Sequence, residues 1–339
     1  MAAYWEGEDF MPVAMLTPEK EKVGLHALPQ RLIAGDLDQV EQILAKSLAP
    51  FRKQFGPLVK HLNHYRGKRL RPTLVLLIAH ACGRLSPAHL TLAAVVEMIH
   101  TATLVHDDVL DEANTRRHVR TVNAGWGNKI SILLGDLLFS KAFHLSATVG
   151  DARACEWIGD ATNRVCAGEL RQTTEQGNLH LSESDYFEII DGKTAALTEC
   201  CGRLGGHFAG ATARQVQALA DFGRDLGMAF QIADDVLDLT GNDTEAGKTL
   251  GTDLLQRKLT LPLIYMFDRL TSEQADRLRM SLDPTAIHRW LRDTGSLESA
   301  QARAQAFADS AVSHLKCLPT SPHRTMLEAI AGWSVCRQA

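Results

Sequence analysis

The sequence predicts an all-α protein, organised as one large helical bundle. Three observations lead there. Apolar residues recur at helical spacing over most of the 339 residues. Almost no stretch alternates with period two, and none reads as a hairpin. Two apolar helical runs end in the same acidic pattern, Asp107-Asp108-x-x-Asp111 and Asp234-Asp235-x-x-Asp238. Residues four apart share a helix face, so Asp107 and Asp111 point the same way. A helix C-terminus carries partial negative charge, so acids placed there need cations beside them. Two such clusters suggest two walls of one cation-filled cavity.

The elements follow in order. Residues 1–27 carry Pro12, Pro18 and Gly24 without periodicity and read as a loose N-terminal arm; 28–339 read as the helical domain. Leu32, Ile33, Leu37, Val40, Ile43, Leu44 and Leu48 mark the first helix, over about 28–48. A basic turn, 65–72, follows, and Pro72 suits the first turn of a helix over about 73–83. Ser86-Pro87 then opens the long helix that reaches the first aspartates. The polar stretch 116–128 reads as a loop. Helices are expected over about 129–147, 151–174, 184–210 (carrying Lys193-Thr194) and 214–239. A polar loop at 241–259 holds Lys248 and Lys258, and shorter helices complete the chain.

Composition narrows the class. Hydrophobic residues are 45% and charged ones 22%, as in a soluble globular chain. A net charge of −4 gives no general affinity for polyanions, so nucleic acid is not an expected partner. The seven cysteines are scattered without a CxxC pair, which fits reduced thiols in the cytoplasm and argues against a structural zinc site. The first residues are acidic where a signal peptide would be basic. The longest apolar run, near 74–82, is too short to span a bilayer, so membrane contact is expected to be peripheral at most.

Carboxylates without His or Cys suit Mg²⁺, a hard ion usually completed by water and phosphate oxygens. Asp107 and Asp111 would share ions from one wall, and Asp234, with Asp235 or Asp238, would hold another from the facing wall. Lys68 and Arg71 frame the Gly67 turn, Arg116 and Arg117 follow the first cluster, and Lys193, Lys248 and Lys258 lie near the second half. As a set they fit a cavity receiving two polyphosphates, one held through metals and one directly by cations. Arg69 reads as a surface charge. His100 lies about two turns before Asp107 on nearly the same face.

Gly67-Lys68-Arg69-Leu70-Arg71-Pro72, residues 100–111, Arg116-Arg117, Lys193-Thr194 and residues 230–238 (FQIADDVLD) together resemble the trans-isoprenyl diphosphate synthases. The resemblance covers roughly 30–339. It implies an all-α bundle of the isoprenoid synthase type with a central cavity, working as a homodimeric prenyltransferase with up to three Mg²⁺ ions. Lys68, Arg71, His100 and Arg117 would then hold isopentenyl diphosphate. Arg116, Lys193 and Lys258, with Lys248 nearby, would serve the allylic diphosphate, with metals on Asp107, Asp111 and Asp234. Thr194 and Gln231 would present oxygen dipoles to the developing carbocation. Asp108, Asp235 and Asp238 are grouped with the catalytic set. The chain departs from the family at His118 and Arg257, where Gly is common, at Leu259, where Pro is common, and in keeping only Gly67 of a usual glycine pair. A class I terpene cyclase, a short-chain (geranylgeranyl) synthase and a non-catalytic subunit are the rival readings.

In the same resemblance the growing chain would run along the first aspartate helix, past Thr103 and Ala102 and then Ile99 and Val96. Short-chain members carry a bulky aromatic four or five positions before the first aspartate. Both positions are small here, and one helical turn is about 5.4 Å. A long product, in the heptaprenyl to decaprenyl range, is therefore expected, with Phe139, Phe143 or Trp157 as a floor.

Overall fold

The protein's structure, a computed structural model, describes residues 31–117, 119–240 and 256–336. The N-terminal arm and Lys248 lie outside them. Fifteen α-helices are found among the described residues: α1 (Ala34–Leu48), α2 (Arg52–His61), α3 (Leu70–Ala81), α4 (Pro87–Leu110), α5 (Val122–Trp126), α6 (Asn128–Ala147), α7 (Ala152–Thr174), α8 (Glu183–Ile190), α9 (Ala196–Phe208), α10 (Ala213–Thr240), α11 (Leu261–Arg269), α12 (Ser272–Ser281), α13 (Pro284–Asp293), α14 (Ser296–His314) and α15 (Pro322–Val335). The all-α expectation is met.

The central helix is α4. Ser86 caps it in extended conformation, His89 closes a capping box, and Pro87 occupies its first turn. Every residue from Leu92 to Ile99 is buried, so this stretch is enclosed on all sides, as an apolar helix without a polar face must be. It packs along α6. One core, with Leu76, Ile78, Ile99, Leu138, Ile158 and Leu204, surrounds α4. A second, with Tyr186, Ile189, Ile264 and Leu291, lies toward the C-terminus. Helix α10 joins them: Phe222 and Leu226 belong to the first core, Met228 and Ile232 to the second.

Helices α9 and α10 touch backbone to backbone. A Cβ on Gly202 would lie 2.0 Å from the Leu219 carbonyl oxygen, and one on Gly223 2.2 Å from that of Thr198. No side chain fits there, so the crossing requires glycine and fixes α10 against the segment that follows Lys193-Thr194.

Three expectations need correction, and α2 adds an element between the first helix and the basic turn. The 116–128 loop contains a two-residue hairpin, β1 (Thr115–Arg116) with β2 (Val119–Arg120), and the short α5. Strands that short give no period-two signal. The 184–210 helix is interrupted by a π-helical turn, Asp191–Ala195. Helix α2, with Pro57 inside it and Phe55 off helical geometry, breaks the apolar pattern that would have marked it. Finally, α4 and α6 are each long and apolar enough to cross a membrane; the apolar window of α4 is 61% buried in the bundle and that of α6 33%. The apolar run near 74–82 was therefore not the longest stretch to consider.

Candidate active site

The C-terminal end of α4 sends its three aspartates to three different environments. Asp107 is half-buried. Burial, then the charges of Glu169 and Asp111, outweigh nearby Lys193 and Arg116 and push its carboxyl up to about 7. Asp111 caps the helix and meets Lys258, Nζ to Oδ1 3.0 Å. Asp108 is fully buried and accepts from Tyr65 Oη at 2.6 Å and Arg116 Nε at 2.8 Å. Tyr65 Oη in turn accepts from the Val122 amide at 3.1 Å. Burial and this bond to Asp108 raise the Tyr65 hydroxyl above its ordinary range. Asp108, expected among the catalytic carboxylates, is thus the one whose two oxygens hold Tyr65 and Arg116.

Around this end stands a cationic shell. Arg117, at φ +50°, donates from Nη1 to the carbonyls of Arg66 (2.5 Å) and Tyr65 (3.3 Å). A Cβ on Gly67 would lie 2.8 Å from Arg117 Nη2, so glycine keeps the basic turn against this guanidinium. Lys68 is exposed. Arg71 Nε is buried without a hydrogen-bond partner, and burial lowers the pKa of its guanidinium. Burial, then Arg71, Arg116, Arg117 and Arg69, hold His100 well below its ordinary value, so the ring is neutral among arginines. Arg69 is not the surface charge expected of it. It is 14% exposed and bonds Glu41 and Glu97, a pairing between distant helices that no local pattern reveals.

The π-helical turn supplies the second wall. Such turns insert one extra residue and recur at functional sites. Helix α7 comes so close that a Cβ on Gly168 would lie 2.4 Å from the Lys193 amide nitrogen. Lys193 Nζ bonds Glu169 Oε2 and Gln172 Oε1, each at 2.6 Å. Burial works against its charge, but Asp107, Glu169 and Asp111 outweigh that and raise its pKa. Thr194 Oγ1 donates to Gln231 Oε1 at 2.7 Å. Adjacent residues of one turn thus connect the two aspartate helices, Lys193 toward Asp107 and Thr194 toward α10.

On α10, Gln231 Nε2 donates to Asp235 Oδ1 at 2.8 Å, and Tyr186 Oη to Oδ2 at 2.6 Å. Asp234 is half-buried, while Asp235 and Asp238 are 6% and 3% exposed. Asp235 is therefore the counterpart of Asp108, a buried acid holding polar neighbours. Lys258 follows Arg257, which takes φ +54°, a left-handed backbone that glycine adopts without strain. Along the proposed tunnel Val96, Ile99 and Ala102 are fully buried, and Thr103 donates to the His100 carbonyl at 2.8 Å. Phe143, a suggested floor, is instead 36% exposed on α6.

Sequence reasoning missed Tyr65, Glu97, Glu169, Gln172 and Tyr186. Glu169 and Gln172 left one signal, a spacing of three on a face of α7. Tyr65 and Tyr186 left none, because their partners are 43 and 49 positions away.

An all-α bundle with two acidic helix ends joined through a cationic turn has the fold of the isoprenoid synthases. Residues 52–288 match the family model described as polyprenyl synthetase. Octaprenyl diphosphate synthase of Escherichia coli is 37% identical over 291 residues, 83% of this chain and 90% of the relative. Nonaprenyl diphosphate synthase of Mycobacterium tuberculosis is 37% identical over 314 residues, covering 90% and 93%. A decaprenyl diphosphate synthase structure from Rhodobacter capsulatus superposes with a TM-score of 0.86 at 37% identity, covering 91% of this chain and 98% of that one. A Caulobacter crescentus polyprenyl synthase complexed with calcium and isoprenyl diphosphate gives 0.85 at 32% identity, covering 93% and 98%. The chain belongs to the polyprenyl synthetase family.

Proposed function

We propose that this chain is a long-chain trans-polyprenyl diphosphate synthase. It would condense an allylic diphosphate, farnesyl or geranyl, head to tail with several isopentenyl diphosphates. One observation supports this reading: cations gather in two groups near the end of α4. Lys193 acts on Asp107 and Lys258 bonds Asp111, while Arg71 and Arg117 act on the neutral His100. Two cation sets suit two diphosphates. The relatives named for octaprenyl and nonaprenyl products, and the small residues at 102 and 103, support a long product.

The donor chemistry fits divalent ions. Asp107 and Asp111 offer hard oxygens, and burial, ahead of nearby charges, raises the Asp107 carboxyl to about 7. Among the described residues no three His, Cys, Asp or Glu side chains gather closely enough to hold a metal ion by themselves. Asp107, Asp111 and Asp234 would hold Mg²⁺, up to three ions, which when bound neutralises charge on the leaving diphosphate. Lys193, Lys258 and Arg116 would stabilise the same charge as the allylic C–O bond breaks. Lys68, Arg71, His100 and Arg117 would hold isopentenyl diphosphate with its double bond toward the allylic carbon. Thr194 and Gln231 would turn oxygen dipoles to the cation. The proton lost after attack would pass to the departed diphosphate.

The exposed apolar residues Ile130, Ile132, Leu133 and Phe143 on α6 support a homodimer built on that helix. We place the enzyme in the cytoplasm, with at most peripheral membrane contact through its product. Incubation of the pure protein with farnesyl diphosphate, labelled isopentenyl diphosphate and Mg²⁺ tests the proposal. Long-chain product is expected; no elongation would favour a non-catalytic subunit, and a cyclic hydrocarbon from the allylic substrate alone a cyclase.

A further inference from the structure

We propose that Glu97 and Arg69 are positioning residues: their buried ion pair, completed by Glu41, fixes the Gly67–Arg71 turn and thereby sets the affinity for isopentenyl diphosphate. This rests on the proposed assignment of Lys68, Arg71, His100 and Arg117 to that substrate. Arg69 adopts φ +52° without being glycine. A left-handed backbone at such a residue persists only when its surroundings hold it. They do so from behind the turn. Arg69 Nη1 lies 2.5 Å from Glu97 Oε1 on α4, and Nε lies 2.6 Å from Glu41 Oε1 on α1. Glu41 also takes Arg66, Nη2 to Oε2 2.6 Å. Two helices therefore grip the residues on either side of Gly67 and Lys68.

Glu97 has a second part to play. It is 3% exposed and lies three residues before His100 on the same helix. Its negative charge acts on Arg69, Arg71 and Arg117 together, whereas Glu41 pairs with Arg66 and Arg69. Arg71 Nε is buried without a hydrogen-bond partner, and Arg71 stands in the first turn of α3, which begins directly after Arg69, so the clamp on Arg69 fixes where that helix starts. Losing the clamp would leave Lys68 and Arg71 to be ordered when the diphosphate arrives, at a cost in binding. On the proposed allylic side, Lys193 pairs with Glu169 and Lys258 with Asp111, rather than with Glu97 or Glu41 among the described residues.

The test is a two-substrate kinetic comparison on the full-length enzyme. Glu97→Gln keeps the shape and removes the charge. It is expected to raise KM for isopentenyl diphosphate about tenfold or more, and to change the allylic KM less than about twofold. Arg69→Lys, which keeps charge but loses the fork, should restore part of what Arg69→Met loses, and Glu97→Gln added to Arg69→Met should cost little more. Should Glu97→Gln fail to fold, Glu41→Gln, at a 27% exposed carboxylate, carries the same expectation. An unchanged or lowered isopentenyl diphosphate KM in a folded variant, or an equal rise in both KM values, overturns the proposal. Lys68→Ala separates the two levels. If it leaves that KM unchanged, the substrate assignment fails; if it raises KM while Glu97→Gln and Glu41→Gln do not, the clamp alone fails.

Discussion

Lys258 and Asp111 meet at 3.0 Å although 147 positions separate them. The lysine comes from beyond α10 and the aspartate from the cap of α4, so the pair ties the segment after α10 to the end of α4. Without substrate each neutralises the other; with a diphosphate and its ions, both have a new partner. Lys258→Ala is therefore expected to lower kcat/KM for the allylic substrate by about 10–100-fold, with little change in stability, because the pair is partly exposed. Steady-state kinetics with a melting curve checks both halves.

Asp107 predicts a pH dependence of the metal-free protein. Its folded pKa, about 7, lies above the ordinary carboxylate value. The folded state thus binds the proton more tightly than the unfolded one. This group costs no stability below the ordinary carboxylate range, costs progressively more as pH rises from there to about 7, and levels off above it. Asp107→Asn should raise the metal-free melting temperature by a few degrees at pH 8, on the order of 1 kcal/mol, and hardly at pH 4, while abolishing turnover. Calorimetry at the two pH values in chelator measures it; an equal difference at both would contradict the assignment.

Asp108 should behave in the opposite way. Asp108→Asn leaves Arg116 and Tyr65 with a weaker partner in a buried site, which costs roughly 2–4 kcal/mol. The variant is expected to melt several degrees lower and to lose allylic turnover through a displaced Arg116. A stable variant with intact turnover would show that Arg116 is held by other contacts.

Ala102→Phe tests the route of the product. Ala102 is fully buried on α4, one turn and a little more before Asp107. If the chain grows past it, the phenyl ring occupies that space and products shorten to the farnesyl–geranylgeranyl range. If the site is closed core, overpacking instead costs about 1–3 kcal/mol and product length stays the same. Chromatography of the products, read beside the melting temperature, separates the two.

The two aspartate helices were legible because an apolar helical run that ends in acids breaks the usual pattern within a dozen residues. The basic residues were legible as types, but not their division of labour. Asp108 and Asp235 carry the same letter as their neighbours, and only burial and their tyrosine partners, Tyr65 and Tyr186, distinguish them. The π-helical turn reads as plain helix because a single extra residue leaves the apolar period on either side almost unchanged. Arg69 looked like a solvated charge because both of its carboxylates come from other helices. What the sequence hides here is pairing across the fold, which depends on tertiary approach rather than on spacing.

The central claim is that the adjacent arginines after α4 serve different diphosphates. In that proposal Arg116, tied to Asp108, would serve the allylic diphosphate, and Arg117, packed on Gly67, isopentenyl diphosphate. The most direct measurement is the pair of KM values for Arg116→Met and Arg117→Met, each with both substrates varied. The account predicts a rise of about tenfold or more in the allylic KM for the first and in the isopentenyl diphosphate KM for the second, with the other KM nearly constant. The same pattern of change in both variants would contradict it.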